Sequence, residues 1–309
     1  MPVTMLDRRS ILASAATLLG TLPLAAQQSP VTVVASFSIL GDLVRAIGGD
    51  RLAVKIIVGA GQDAHVYKPT PADAKTIAGA ALIVVNGLGF DTFMERLVRS
   101  SASKSPVVDL SKGVSVLKEA KQAHGHDHGH KHGGNQDPHI WQSIGNVKQM
   151  VTTLADALAK VDPAGAATYA ANLAAYRSKL DALETELKAL VATVPDDRRL
   201  FATTHDAFAY LARDFGLKPL ALQGISTNAE PSAADIARII RQLKALKAPA
   251  VFLENITDPR KIERIAQDSG ARVGGTLYSD SLSLADGPVP TYIDLMRHNI
   301  MTLVKALKP

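Results

Sequence analysis

Residues 147–194 read VKQMVTTLADALAKVDPAGAATYAANLAAYRSKLDALETELKALVATV. Alanine, leucine and lysine dominate the stretch, all good helix formers, and its one break is Asp162-Pro163, where proline cannot continue a helix. Two long helices are therefore expected, Val147 to Lys160 and Ala164 to Val194. On both sides the texture is different. Upstream, short apolar runs suited to buried strands (Val31 to Phe37, Val54 to Val58, Ala81 to Asn86) alternate with helical stretches at Ile39 to Ile47 and Pro71 to Ala78. Downstream the alternation resumes with strands at Leu200 to Thr204, Leu217 to Leu222, Ala250 to Leu253 and Ala271 to Leu277. The helices between and after them are expected at Ala207 to Phe215, Ser232 to Leu246, Pro259 to Ser269 and from Thr291. Strands alternating with helices imply parallel sheets built from βαβ crossovers. The expected fold is α/β, with two βαβ-type lobes joined by a long backbone helix. A solid helical connector permits only small lobe movements, so a site between the lobes would be largely pre-formed.

At 309 residues, 47% hydrophobic and 20% charged, the chain has material for two globular lobes. Its start is unlike the rest: Arg8 and Arg9 precede an apolar run from Ile11 to Leu24 that ends in Ala25 and Ala26, the layout of a secretory signal peptide. The run is too short for a typical membrane-spanning helix. The paired arginines followed by Ser10, Ile11 and Leu12 are also similar to a twin-arginine signal. The chain divides into a signal peptide at 1–26, an N-terminal lobe at 30–145 with a His-rich loop at 120–136, a connector at 146–194 and a C-terminal lobe at 195–309. With no cysteine there is no disulfide framework and no thiol for a lipid anchor, so a soluble periplasmic protein is expected. The formal charge of +5 is spread along helices and only 5% of residues are aromatic, which disfavours a nucleic-acid surface.

Five of the nine histidines, His124, His126, His128, His130 and His132, fall in one Gly-rich run that also holds Asp127. Such a segment cannot pack a core, but neutral imidazoles on a solvated tether capture transition metals, so these residues are candidates for accessory capture. A holding site must lie elsewhere. His205 closes the strand Leu200 to Thr204, and Asp280 follows the strand ending at Leu277; carboxyl ends of parallel strands are where open α/β sheets bind ligands. His65 follows a strand of the first lobe through a Gly-rich turn, and His139 lies just beyond the His-rich run. Three imidazoles and a carboxylate make a complete four-coordinate zinc shell, which argues for binding over hydrolysis because catalytic zinc keeps a position for water. Asp206 and nearby backbone carbonyls are candidates to orient the imidazoles. His298, inside the terminal helix, reads as structural.

Four segments carry a resemblance: Gly61-Gln62-Asp63-Ala64-His65-Val66-Tyr67-Lys68-Pro69, Asp137-Pro138-His139-Ile140-Trp141, His205-Asp206-Ala207-Phe208 and Tyr278-Ser279-Asp280. In this order they resemble the signature segments of the zinc and manganese solute-binding proteins of ABC transporters, the cluster A-I family, over essentially the whole mature chain. One departure is Ala64, where many relatives carry proline. The resemblance implies a metal between the lobes on His65, His139, His205 and Asp280, a membrane permease as partner, and a monomer that catalyses nothing. It also implies zinc, because manganese binders tend to carry a carboxylate at the position of His205 and nitrogen-rich sets favour zinc. A periplasmic metallochaperone is a further candidate partner, and a periplasmic zinc buffer or chaperone and a manganese receptor remain as alternative functions. A zinc hydrolase is the least supported, as the chain has no H-E-x-x-H, no G-x-S-x-G and no phosphate-cradling glycine loop.

Overall fold

The computed structural model describes residues 29–118, 136–228 and 230–309, so the expected signal peptide and the histidine run at 124–132 lie outside the described residues. Strand β1 (Val31–Phe37) is followed by α1 (Ser38–Gly48), β2 (Leu52–Val58), α2 (Pro71–Ala78), β3 (Leu82–Val85), α3 (Phe93–Ser100) and β4 (Val107–Asp109). The four strands form one parallel sheet in the order β2-β1-β3-β4. The central strand β1 is buried on both faces at Val33, Val34 and Ala35, as a parallel strand covered by helices must be. Helix α2 starts on a capping box in which Thr70 accepts from the Asp73 amide and Asp73 accepts from that of Thr70, with Pro71 in the first turn.

Two antiparallel helices follow, α4 (Ile144–Val161), which ends beside Arg51 of the first lobe, and α5 (Ala166–Ala192), which leads into the second lobe. The break between them is a 3-10 turn at Pro163–Gly165, pinned by Asp162, which accepts from Arg51 at 2.8 Å and from the Tyr169 hydroxyl at 2.6 Å. The 27 residues of α5 give a rod of about 40 Å, and its buried side chains Tyr169, Tyr176, Leu180, Leu183, Leu187 and Val191 form one stripe. The second sheet contains β5 (Leu200–Thr203), β6 (Lys218–Ala221), β7 (Ala250–Glu254) and β8 (Arg272–Leu277), parallel in the order β6-β5-β7-β8. Helices α6 (Ala209–Phe215), α7 (Ala233–Ala245) and α8 (Pro259–Ser269) are the crossovers, and α9 (Tyr292–Leu307) ends the chain.

The main core is continuous from the first sheet through α4 and α5 to α9, while a smaller one, including Leu222, Ile239, Leu243, Val251, Ile262 and Ile265, lies under α7 and α8. Helix α9 is tied to the first lobe where Asp42 of α1 accepts from the Tyr292 amide at 2.8 Å. Helix α3 and strand β4 were not expected from the sequence. Phe93–Ser100 is two turns long with only Phe93, Met94 and Leu97 buried, and Val107–Asp109 is three residues long, so neither offers enough periods for a pattern to show. No helix among the described residues is long and apolar enough to cross a membrane.

Candidate metal centre

Each expected ligand sits past the carboxyl end of a strand or in the segment that crosses toward the second lobe. His65 lies in the loop after β2. Gly61, with φ of +73°, turns that loop so that its amide faces the second lobe, 2.8 Å from Ser281 Oγ and 3.0 Å from the Leu282 carbonyl. The His65 amide donates to Asp63 Oδ1 at 2.8 Å. His139 precedes the 3-10 turn Ile140–Gln142, and Asp137 Oδ1 stands 3.0 Å from its amide and 2.8 Å from its Nδ1. His205 follows β5; Glu254, at the end of the neighbouring β7, accepts its amide at 2.8 Å through one oxygen and places the other 2.6 Å from Nδ1. Asp280 lies in a loop whose backbone is clasped throughout. Asn299 donates to the Tyr278 carbonyl at 2.7 Å and accepts its amide at 2.8 Å, Asn255 bonds the Ser281 carbonyl at 3.1 Å, and Trp141 Nε1 and Gln142 Nε2 both donate to the Ser279 carbonyl at 2.8 Å. The last two bonds fasten the turn after His139 directly to the loop that carries Asp280.

One nitrogen from each imidazole and an oxygen of Asp280 lie within 4.8 Å of one another. Asp280 Oδ2 is 3.2 Å from His65 Nε2 and 3.1 Å from His205 Nε2, and Oδ1 is 3.7 Å from His139 Nε2. His139, His205 and Asp280 are at most 1% exposed. Phe90 meets the His65 ring edge to face at 4.8 Å and packs on Trp141 at 4.7 Å, so aromatic walls close one side. Within this pocket His65 Nε2, His139 Nε2 and Asp280 Oδ1 are buried without an aligned hydrogen bond, an arrangement that costs free energy unless something accepts their lone pairs. Converging nitrogens and a carboxylate with unmet lone pairs fit a divalent cation.

Charge at the centre is set by opposing forces. Burial disfavours a charged imidazole at His205, but the carboxylates of Glu254 and Asp280 outweigh it and hold the ring protonated well above the usual histidine range. Burial likewise pushes Asp280 up, and His205 and His139 overcome it, keeping the carboxylate ionised well below its usual range. A cation taken up through His205 competes with a proton that the two carboxylates hold more tightly than usual, while the ionised form of Asp280 is favoured.

The structure thus brings His65, His139, His205 and Asp280 together. His298, read as structural, bonds the Thr276 carbonyl through Nε2 at 3.0 Å and packs edge to face on Tyr278 at 5.2 Å. The orienting groups differ from those named from the sequence: the carboxylates beside Nδ1 belong to Asp137 and Glu254. Both left a trace. Asp137 precedes His139 by two positions, the spacing also seen for Asp63 and His65, and Glu254 ends a strand at the same carboxyl edge as the ligands. The clasp of Asn255, Asn299, Trp141 and Gln142 left none.

The sequence profile of the family described as zinc-uptake complex component A, periplasmic, matches residues 33–306. The chain is 33% identical over 275 residues to the manganese-binding lipoprotein MntA of Halalkalibacterium halodurans, covering 89% of this chain and 88% of that protein. It is 32% identical over 273 residues to the iron-binding protein YfeA of Yersinia pestis, covering 88% and 85%. Among solved structures, the periplasmic zinc binding protein TroA of Treponema pallidum superposes with a TM-score of 0.83 at 28% identity, over 91% of this chain and all of that one.

Proposed function

The chain belongs to the family described as zinc-uptake complex component A, periplasmic, and from that premise we propose that it captures Zn²⁺ between its lobes and presents it to the permease of an ABC transporter. Its relatives are named as metal-binding proteins, and binding without turnover is the activity. One observation carries the reading: three imidazoles and a carboxylate from four separate segments converge within 4.8 Å in a buried pocket. His65, His139, His205 and Asp280 are the ligands, with Zn–N distances expected at about 2.0 to 2.1 Å. Asp137 and Glu254 fix the tautomers of two of them, so that Nε2 faces the ion. Lobes at 30–145 and 195–309, joined by 146–194, belong to the same proposal, as do export behind the signal at 1–26, a soluble monomer in the periplasm, and loading of the centre from the histidines of 124–132.

Nitrogen-rich donors favour zinc over manganese in intrinsic affinity. A manganese receptor is the second reading, favoured by the relative named for manganese and by Asp280, whose two oxygens both face the imidazoles and could supply a fifth, harder donor.

The test is the metal content of the mature protein after mild chelation, for wild type, His205→Ala and a deletion of 124–132. One tightly held zinc that survives the deletion and is lost in His205→Ala supports the assignment. Zinc that leaves with the histidine run and ignores His205 overturns it, and tight manganese with weak zinc selects the second reading. Capture of the protein by its permease separates a transport receptor from a buffer or chaperone.

A further inference from the structure

We propose that the hydrogen bond between Asp63 and Thr227 is a strut across the mouth of the cleft that slows release of the bound ion, with Asp63 and Thr227 as positioning residues; this rests on the metal-site reading above. The amide of each of the three imidazole residues donates to a carboxylate, from Asp63, Asp137 and Glu254 respectively. Asp137 and Glu254 also face the Nδ1 of the same histidine, Asp137 with the same oxygen and Glu254 with its other one. Asp63 instead accepts the His65 amide through Oδ1 and, through Oδ2, the hydroxyl of Thr227 at 2.6 Å from the opposite lobe.

The far end of the strut is anchored beside another ligand. The Gln223 amide donates to the Thr204 carbonyl at 2.8 Å and the Asp206 amide to the Gly224 carbonyl at 3.1 Å, so the segment leading to Thr227 is bonded to both neighbours of His205. The path His65, Asp63, Thr227, Gly224, Asp206, His205 is therefore continuous in covalent and hydrogen bonds. An ion held by His65 and His205 closes the same path from the inside. Both closures fix one separation between the two loops, so each favours the other, and by linkage the gain is reciprocal. Asp63 and Thr227 are only partly buried, which leaves the strut within reach of a docking partner while the deeper ligands are not.

The experiment follows transfer of Zn²⁺ from the full-length mature protein to a chromophoric chelator by stopped flow, with Mn²⁺ in parallel. The variants are Thr227→Val, Thr227→Ser, Asp63→Asn and the double variant Asp63→Asn/Thr227→Val. Dissociation from Thr227→Val is expected about tenfold faster, the size of one hydrogen bond to a charged acceptor. Thr227→Ser should retain the wild-type rate because it keeps the hydroxyl, and the double variant should release the ion no faster than the faster single one. Wild-type release from Thr227→Val, additive rates in the double variant, or a failure of serine to restore the rate would each overturn the strut while leaving the site reading intact. A wild-type protein that holds neither ion would overturn the site reading itself.

Discussion

His139 and His205 are fully buried, each with a carboxylate against Nδ1, whereas His65 lies in a half-exposed loop where Asp63 grips the backbone and turns its other oxygen to the opposite lobe. The same residue type is thus given two jobs. In the deep pair a buried carboxylate stands against each Nδ1 and holds the ring in place, with Asp137 2% and Glu254 3% exposed. At the rim, the ring's environment depends on how the two lobes face each other. On the proposed strut, the deep pair is the floor that sets how tightly the ion is held, and the Asp63–Thr227 bond at the rim sets how fast it leaves.

The largest effect expected is loss of a floor ligand. A structural zinc shell is worth about 10–16 kcal/mol, so one of four ligands carries roughly 3 kcal/mol and its loss weakens affinity about a hundredfold or more. Titration against a competing chelator should show this for His139→Ala and for His205→Ala. Removing the groups behind the floor comes next. Glu254→Gln and Asp137→Asn each leave every ligand in place and should weaken zinc binding about 10- to 100-fold. Affinities unchanged in both would erase the distinction between floor and rim.

Acidity offers a sharper contrast, because the pH responses of the protein with and without zinc have opposite signs. His205 is held protonated above its usual range by Glu254 and Asp280. A raised imidazole value stabilises the metal-free fold fully below about pH 6.5, and that contribution is lost as pH rises through the raised value. Zinc affinity moves the other way, rising over the same window and levelling above it, since a protonated ring cannot ligate. Zinc binding should release protons across this window, measurable by calorimetry in buffers of different ionisation enthalpy. The acid threshold near pH 6.5 that unperturbed imidazoles imply is accordingly moved upward. A zinc affinity flat from pH 6 to 8 would mean that His205 binds its ion already neutral. The smallest effect concerns the clasp between the lobes: Trp141→Phe keeps the ring packing but deletes one of two donors to the Ser279 carbonyl. With Gln142 still donating, unfolding should be easier by about 1 kcal/mol, with little change in zinc affinity.

How the centre is assembled was only partly legible in the chain. Gly61 and the turn around it, the strand ends before His205 and Asp280, and the Pro163 break between α4 and α5 are local signals, written in residues that neighbour one another. The clamp of Glu254 on His205 spans 49 positions and the reach of Asp63 to Thr227 spans 164, so no local pattern could pair them. Asn299 is a similar case, reading as one polar residue in an amphipathic helix until α9 is laid beside β8 and its amide meets both backbone groups of Tyr278.

By itself the sequence determined the alternation of strands and helices apart from α3 and β4, the long helical connection, and the residue types able to hold a transition metal. These follow from periodicity and chemistry that act over a few residues. Only the tertiary structure decided which carboxylate faces which Nδ1, that Glu254 and Asp280 push the His205 imidazole up, and that the two lobes are bonded across Asp63 and Thr227. Those outcomes depend on desolvation and on distances between segments far apart in the chain, and both quantities come into being only when the lobes close around one pocket.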